Sequence, residues 1–356
     1  MTNRPALAWR NPTVLAATSV VAWMAVTTFA RAQPAAPQIT LKLHHFLPAT
    51  SGPHKGWLAP WAERMEKASG GKLKIEVFAS MQLGGKQPQL FEQVKDGVVD
   101  VVWAVAGATP GRFPRLEVFE LPWVSGRTAE HTSAAMWEFY ERYSKDEVKD
   151  VKVLALVTAG RGIIMTKEKA VKLPGDAAGL KLRVPSRVVN DIFQAVGASP
   201  QGVPPPAVPE ALSKGVLDGA LFPYDAATAL KMDELTNRAS DFGGSNAIYS
   251  AVMFMLMNKA KYDSLPADLK AVIDAEAGAV LSRDSGKRFD GFNQVGRDAM
   301  LKRNTPIHTI EGPELEAWKK ATDPITAQWI AERDKAGDKG GDLVKAAREL
   351  VDKYSK

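Results

Sequence analysis

The order of apolar and amphipathic segments between Ile39 and Val105 most constrains what this chain can fold into. Segments with strand-like alternation are separated by segments whose apolar residues recur every three or four positions, which is the spacing of a helix. The segment 98–105 is apolar on both faces except for Asp100, as in parallel sheets that helices cover. The order strand, helix, strand, helix, strand therefore predicts an α/β fold with right-handed crossovers. The predicted elements are 39–46, 53–69, 72–78, 86–96 and 98–105.

A short pattern recurs in the second half of the chain. Glu92 and the following Gly97-Val-Val-Asp100 are matched by Glu210 and Gly215-Val-Leu-Asp218. Each copy has the pattern of a helix, a glycine that ends it, and a strand with aspartate at its third position. Such a junction is common enough to recur by chance, but two lobes of similar α/β build explain it better. The length of 356 residues also suits two domains.

A long helical pattern follows from 265 to 304. Its length would be about 60 Å at about 1.5 Å per residue, which exceeds the width of one lobe. We therefore predict a helix that spans both lobes, with Gly278, Gly286, Gly291 and Gly296 as points where it could bend. The predicted divisions are a signal peptide at 1–32, lobe I at 38–158 with a return segment at 247–285, lobe II at 159–246 with 305–335, the spanning helix at 265–304 and a C-terminal helix at 336–356.

Residues 1–32 have the pattern of an export signal. Arg4 and Arg10 precede an uncharged apolar run, and Ala30-Arg31-Ala32 is a small-x-small cleavage pattern. The run is short for a membrane anchor. We predict cleavage near Ala32 and a periplasmic protein that is not membrane-embedded after cleavage. The chain has no cysteine, so it offers neither a disulfide nor a thiol for a lipid anchor.

The net charge of +6 overstates how basic the mature protein is. The leader contains Arg4, Arg10 and Arg31 and no acidic residue, so basic and acidic residues are nearly balanced without it. The charges are also dispersed rather than clustered. The sequence therefore does not indicate a nucleic-acid partner.

No catalytic, metal or cofactor motif stands out. The sequence contains no nucleophile elbow, phosphate-binding loop, dinucleotide-binding glycine motif or zinc-binding H-E-x-x-H. The run Ser69-Gly-Gly-Lys72 is better explained as a turn than as an acylation site. His44 and His45 are adjacent on a predicted strand, so they face opposite sides and cannot bind one metal together. We expect no catalytic residues, no metal and no cofactor, although active sites can be assembled from distant residues.

The stretch from Gly179 to Pro185 is the strongest candidate for ligand contact. It has the alternation of a short strand, and Arg183 lies near the carboxyl end, where ligands bind in open α/β sheets. A guanidinium offers two parallel donors to a carboxylate. Taken alone, the stretch fits a solvated surface arginine better, because most arginines are exposed.

Four motifs together make the chain resemble the solute-binding proteins of tripartite ATP-independent periplasmic (TRAP) transporters, of the dicarboxylate type. The resemblance covers about 39–309. The motifs are Asp176-x-x-Gly-Leu-Lys-Leu-Arg183-Val-Pro185, Gly197-Ala198 followed by Val203-Pro204, Glu210-Ala-Leu-x-x-Gly-Val-Leu-Asp218-Gly219, and Leu265-Pro266-x-Asp268-Leu269.

The resemblance implies a two-lobed periplasmic binding protein, type II-like, that closes on a small organic acid and delivers it to a sodium-driven TRAP permease. In this family the arginine of the Lys-x-Arg-Val-Pro motif grips the ligand carboxylate, which here is Arg183. A second arginine often assists, and Arg161 occupies the matching place. Because of these implications, ligand binding becomes the preferred interpretation of Arg183, ahead of a solvated surface arginine.

One departure from the family pattern bears on the ligand. Many members carry an asparagine after the Asp-Gly pair, whereas this chain has Phe222, followed by Tyr224. An aromatic residue there favours a monocarboxylate with an apolar or aromatic body over a dicarboxylate or sugar acid. Trp103, Phe46 and either His44 or His45 would add further wall, with His45 preferred; plain core packing is the alternative for the aromatic residues.

Two other functional classes fit the same scaffold. One is a secreted enzyme that acts on a carboxylate. The other is a ligand sensor that reports to a membrane kinase, which the sequence cannot distinguish from a transport receptor.

Overall fold

Two β-sheets form the framework of residues 38–356, which are the residues that the computed structural model describes. The predicted signal peptide and its cleavage site lie outside the described residues. The strands are β1 Ile39–His44, β2 Leu73–Phe78, β3 Val101–Val105, β4 Val151–Val157, β5 Ile163–Thr166, β6 Lys181–Arg183, β7 Ser199–Gln201, β8 Gly219–Phe222, β9 Arg238–Phe242, β10 Met253–Asn258 and β11 Ile307–Ile310.

Helices cover both sheets, and short 3₁₀ turns such as Leu116–Glu120 connect several elements. The α-helices are α1 Ala59–Ala68, α2 Leu90–Lys95, α3 Ala129–Tyr143, α4 Arg187–Ala195, α5 Val208–Ser213, α6 Ala226–Ala229, α7 Met232–Leu235, α8 Lys259–Ser264, α9 Ala267–Ala275, α10 Gly278–Lys302, α11 Pro313–Lys335 and α12 Gly340–Ser355. A π-helical turn, His54–Leu58, leads into α1. In the described residues, no helix is both long enough and apolar enough to cross a membrane.

The two sheets have the same strand order over five strands, and the second sheet has β11 as a sixth strand at its edge. The first runs β2-β1-β3-β10-β4, and the second runs β7-β6-β8-β5-β9-β11 when followed from β7. In each, the first three strands are parallel and the fourth is antiparallel to its neighbours on both sides. The predicted two-lobed α/β fold is confirmed, although the predicted lobe boundaries stay a prediction.

The recurring aspartates occupy equivalent places in the two sheets. Asp100 Oδ2 accepts a hydrogen bond from the Lys42 backbone N–H at 2.8 Å, and Asp218 Oδ2 accepts one from the Lys181 backbone N–H at 2.8 Å. Each aspartate therefore bonds to the backbone of the neighbouring parallel strand, β1 or β6, just before its own strand begins. The prediction that they lie at the third strand position was wrong, because β3 and β8 begin only after them.

The predicted helix over 265–304 is interrupted. It consists of α9 and α10, because Ala277 is extended and Gly278 has a φ of +76°. Only α10, with 25 residues, is the long helix. It packs against α3 and β4 of the first half and against α6 and α7 of the second. The prediction of a helix that contacts both lobes is therefore confirmed for its longer part.

Two short segments, 158–162 and 243–252, carry the chain directly between the sheets, and α8, α9 and α10 form a third, longer crossing from β10 to β11. Arg161 and Ser250 form an isolated antiparallel bridge between the two short segments. The Ser250 hydroxyl also donates to the Gly160 carbonyl at 2.9 Å. These contacts bring the two short crossings side by side, next to the cavity described below.

Candidate functional site

A cavity of about 70 Å³ lies where the two sheets and their crossings meet. Both halves of the molecule contribute to its wall, and nearly all of the wall is apolar. It is lined by Phe46, Leu47, Trp103, Val105, Ala159, Arg183, Pro185, Pro205, Leu221, Phe222, Pro223, Asp225, Ala226, Ala229, Leu230, Tyr249, Ala251, Met253 and Phe289.

Arg183 is fixed in this wall by its backbone and by its neighbours. Strand β6 places it beside Ala220 of β8. Its Nε donates to the Val203 carbonyl at 3.0 Å, and its Nη1 donates to the Leu221 carbonyl at 2.9 Å. The guanidinium lies over the Phe222 ring, 4.1 Å from its centroid, in a cation–π contact.

The charge of Arg183 is buried without a counter-ion. Only 5% of the residue is exposed, and no carboxylate of residues 38–356 lies within 4.0 Å of it. Burial lowers the pKa of Arg183 to about 10, so the guanidinium remains charged at neutral pH. A buried, unpaired cation is unfavourable unless an anion joins it. Among residues 38–356, no group accepts a hydrogen bond from the Nη2 of Arg183, which leaves this nitrogen available to a ligand carboxylate.

Tyr249 supplies a second unpaired polar group beside Arg183. Its hydroxyl is fully buried and has no partner in the described part of the chain. Burial raises the pKa of Tyr249, while the nearby Arg183 charge acts in the opposite direction. The Tyr249 ring lies directly against Gly162, where an added Cβ would come within 1.9 Å of it. Glycine at that position therefore makes room for the ring.

Aromatic side chains form the wall that the first sheet contributes. Trp103 at 2% exposure stacks with Phe46 at a centroid distance of 4.8 Å, and Phe289 of α10 lies 5.9 Å from it. The Trp103 Nε1 is buried without a partner in residues 38–356. Trp103 is thus both a core residue and part of the cavity wall, so core packing and a place in the wall are not exclusive alternatives for it.

Among residues 38–356, Asp225 is the one acidic residue that lines the cavity. The turn that carries it is held by α10, since the Asp225 N–H donates to Asn293 Oδ1 at 2.9 Å. The Asn293 amide in turn donates to the Ala159 carbonyl at 2.7 Å, which ties the turn to the crossing segment. Burial raises the pKa of Asp225 to about 7.

The raised pKa of Asp225 gives a prediction for stability. An unfolded aspartate has a pKa of about 3.9, so between about pH 4 and pH 7 the folded state holds a proton that the unfolded state has lost. The free energy of unfolding then falls as pH rises through this window. We expect wild type to lose stability relative to Asp225→Asn between about pH 4 and pH 7, measured by urea unfolding. A stability difference that does not change with pH would contradict this.

Of the residues predicted to contact the ligand, Arg183, Phe222, Trp103 and Phe46 line the cavity, whereas Arg161, Tyr224 and His45 do not. Arg161 Nη2 pairs with Asp241 Oδ2 at 2.8 Å, and the Tyr224 hydroxyl donates to the same oxygen at 3.1 Å. These two residues therefore brace the wall from behind.

His45 is fully buried behind the cavity, 6.1 Å from the Trp103 ring, and its Nε2 lies 2.9 Å from His54 Nδ1. Burial and the other histidines lower the pKa of His45 to about 3, which keeps it neutral. Across residues 38–356, no three metal-ligating side chains cluster.

Sequence reasoning missed Tyr249, Asp225 and Phe289 as cavity residues. Asp225 had a signal, since it is a lone acid in the apolar run Phe222-Pro-Tyr-Asp-Ala-Ala. Tyr249 and Phe289 looked like ordinary core residues of a strand and of a helix. Only the packing of the crossing segment and of α10 brings them to Arg183.

A second cavity, of about 360 Å³, shares Arg183, Val105, Pro185 and Pro205 with the first. Its rim is bridged by contacts between the two halves. Arg187 pairs with Glu117 at 2.6 Å, and the Glu120 carboxylate interacts with the Ser186 hydroxyl. Gly107 touches Pro185 and Ser186 so closely that a Cβ there would lie 2.5 Å from Ser186.

Comparison with known proteins identifies relatives along most of the chain. The model of the family described as bacterial extracellular solute-binding protein, family 7, matches residues 43–333. The C4-dicarboxylate-binding periplasmic protein DctP of Rhodobacter capsulatus is 27% identical over 320 residues, covering 87% of this chain and 90% of that protein.

Two solved structures are more similar in sequence. A TRAP solute-binding protein from a marine metagenome, specific for aromatic acid ligands and bound to 3-hydroxybenzoate, is 42% identical with a TM-score of 0.88. The match covers 90% of this chain and 100% of that one. A TRAP solute-binding protein from Rhodoferax ferrireducens T118, with copurified benzoate, is 39% identical with a TM-score of 0.87, covering 89% and 99%.

Proposed function

The chain belongs to family 7 of the bacterial extracellular solute-binding proteins, and from this premise we propose that it captures an aromatic monocarboxylate and delivers it to a TRAP permease. The resemblance found in the sequence is thereby confirmed, and the protein is a solute-binding receptor for a carboxylate. The aromatic class of ligand, the permease and the periplasmic location are the further steps of the proposal.

The observation that carries the proposal is a buried arginine without a counter-ion in an apolar, aromatic cavity. Arg183 has two donors fixed on backbone carbonyls, so its remaining donors are oriented for one anion. In the described part of the chain, no second cationic residue lines the cavity. A dicarboxylate would bury its second charge beside Asp225, whereas an aromatic ring would pack on Trp103 and Phe46.

Both halves of the molecule contribute residues to the cavity wall, which supports binding by closure of the two halves. Phe46, Trp103 and Met253 belong to the first sheet and its loops, while Arg183 and Phe222 belong to the second. A ligand between them would be contacted from both sides and shielded from water. The contacts of Arg187 and Ser186 across the rim would hold the halves together. In this proposal Arg161, Tyr224 and His45 support the wall rather than touch the ligand.

A thermal unfolding panel tests the proposal. The protein is unfolded, dialysed to remove copurified ligand and refolded, then heated with benzoate, 3-hydroxybenzoate, succinate or galactonate. We expect the aromatic acids at about 100 times Kd to raise Tm by about 5 °C or more, through preferential binding to the folded state. Shifts caused by succinate or galactonate alone would overturn the aromatic class.

A receptor and an enzyme differ in the state of the acid that is recovered after incubation with the protein. A receptor returns the bound acid unchanged, so the NMR spectrum of the acid should be the same before and after prolonged incubation with the protein. Appearance of new resonances in proportion to protein concentration would favour an enzyme instead.

A further inference from the structure

We propose that Asp225 recognises a hydroxyl group on the ring of the bound aromatic acid, so that the preferred ligands are hydroxylated aromatic acids. The inference rests on the proposed function and adds to it the class of ring substituent. In this proposal the carboxylate of the ligand binds Arg183, and the hydroxyl on its ring binds Asp225.

The carboxyl group of Asp225 has no structural task that accounts for its burial. The residue is 7% exposed and lines the cavity. Among residues 38–356 its side chain makes no ion pair and no side-chain hydrogen bond, and it does not cap α6, the short helix that follows it. The backbone N–H of Ala226 is the one hydrogen-bonding group that acts on the carboxyl. A buried carboxyl with so few partners is costly unless a ligand completes its hydrogen bonds.

Asp225 and Arg183 are not paired with each other, although both line the same cavity. Tyr249 lies within electrostatic reach of both, because the charges of Arg183 and Asp225 each influence the pKa of its phenol. Both charged groups therefore lie near Tyr249 in the lining of one apolar space, without an ion pair between them among residues 38–356. A ligand that satisfies both must carry its carboxylate and its second polar group apart, as a hydroxybenzoate or a hydroxyphenylacetate does.

A hydroxyl fits Asp225 better than the other polar groups that an aromatic acid could carry. Burial raises the pKa of the carboxyl to about 7, so below neutral pH the protonated group can both donate to and accept from a hydroxyl, and above it the carboxylate accepts from one. A second carboxylate would meet repulsion as soon as Asp225 ionised. A site built for a hydroxyl also discriminates against the ligand that lacks it, because the buried carboxyl is then left unpaired.

The test compares ligands with and without a ring hydroxyl, on wild type and on variants of Asp225. Calorimetric titration with benzoate and with the 2-, 3- and 4-hydroxybenzoates is carried out on wild type, Asp225→Ala and Asp225→Asn. The control is Asp323→Ala, which removes an exposed aspartate of α11. We expect wild type and the control to prefer at least one hydroxy isomer over benzoate by about tenfold. Asp225→Ala should reduce that preference to about twofold or less while it still binds benzoate.

Asp225→Asn keeps the shape and a donor and an acceptor, so we expect it to retain part of the preference. Equal binding of benzoate and all isomers by wild type, or an undiminished preference in both Asp225 variants, would overturn the role of Asp225 and leave the proposed function intact. Absence of binding of any of these acids to wild type would instead overturn the proposed function, and this inference with it.

Discussion

Replacing Arg183 with lysine is expected to weaken the binding of benzoate or hydroxybenzoate by about tenfold or more, and replacing it with alanine by about a hundredfold or more. Lysine keeps the positive charge but has one nitrogen at its tip. It cannot bond to the Val203 and Leu221 carbonyls and at the same time present two donors to a carboxylate. The alanine variant removes the cation and leaves both buried carbonyls unpaired.

Arg238→Lys is the matched control for this measurement. Arg238 also lies on a strand of the second sheet, but its guanidinium bonds to the Asn237 carbonyl and it does not line the cavity. Calorimetry should give the same affinity for this variant as for wild type. If Arg183→Lys binds with unchanged affinity, Arg183 is not the carboxylate clamp.

The strand and helix pattern of the fold was largely predictable from the sequence because it depends on local spacing. The segments 39–46 and 72–78, for example, are strands within one or two residues of their predicted limits. The break between α9 and α10 was not predictable in the same way. A glycine within a helical pattern can continue the helix or interrupt it, and here Ala277 is extended and Gly278 has a φ of +76°, so the helical backbone stops after Ala275 and starts again at Gly278.

The site was predictable where the motif itself specified the chemistry. The alternation around Arg183 placed it at a strand end, and the resemblance indicated its task. Its unpaired burial could not be foreseen, because it depends on the Val203 and Leu221 carbonyls from elsewhere in the chain. Arg161 shows the opposite case. Its place between two glycines suggested a free arginine, whereas Asp241, distant in sequence, neutralises it.

Replacing Gly296 with alanine is expected to lower the free energy of unfolding by about 1–3 kcal/mol and to weaken ligand binding. A Cβ at this position of α10 would lie 1.9 Å from the Tyr224 carbonyl oxygen and 3.2 Å from the Asp225 nitrogen. Both are backbone atoms, so no side-chain rotation can relieve the clash. Either the helix or the turn 222–226 must shift, and that turn carries Phe222 and Asp225 of the cavity wall.

Gly291→Ala in the same helix is the matched control, with an effect of opposite sign. No atom lies within 4 Å of an added Cβ there, so alanine should stabilise the helix by up to about 1 kcal/mol and leave binding unchanged. Urea unfolding and calorimetry on the two variants separate helix propensity from contact with the turn. Equal stability of the two would mean that α10 does not hold the turn in solution. A destabilised Gly296→Ala that binds its ligand normally would mean that the turn moves with the helix and keeps the cavity intact.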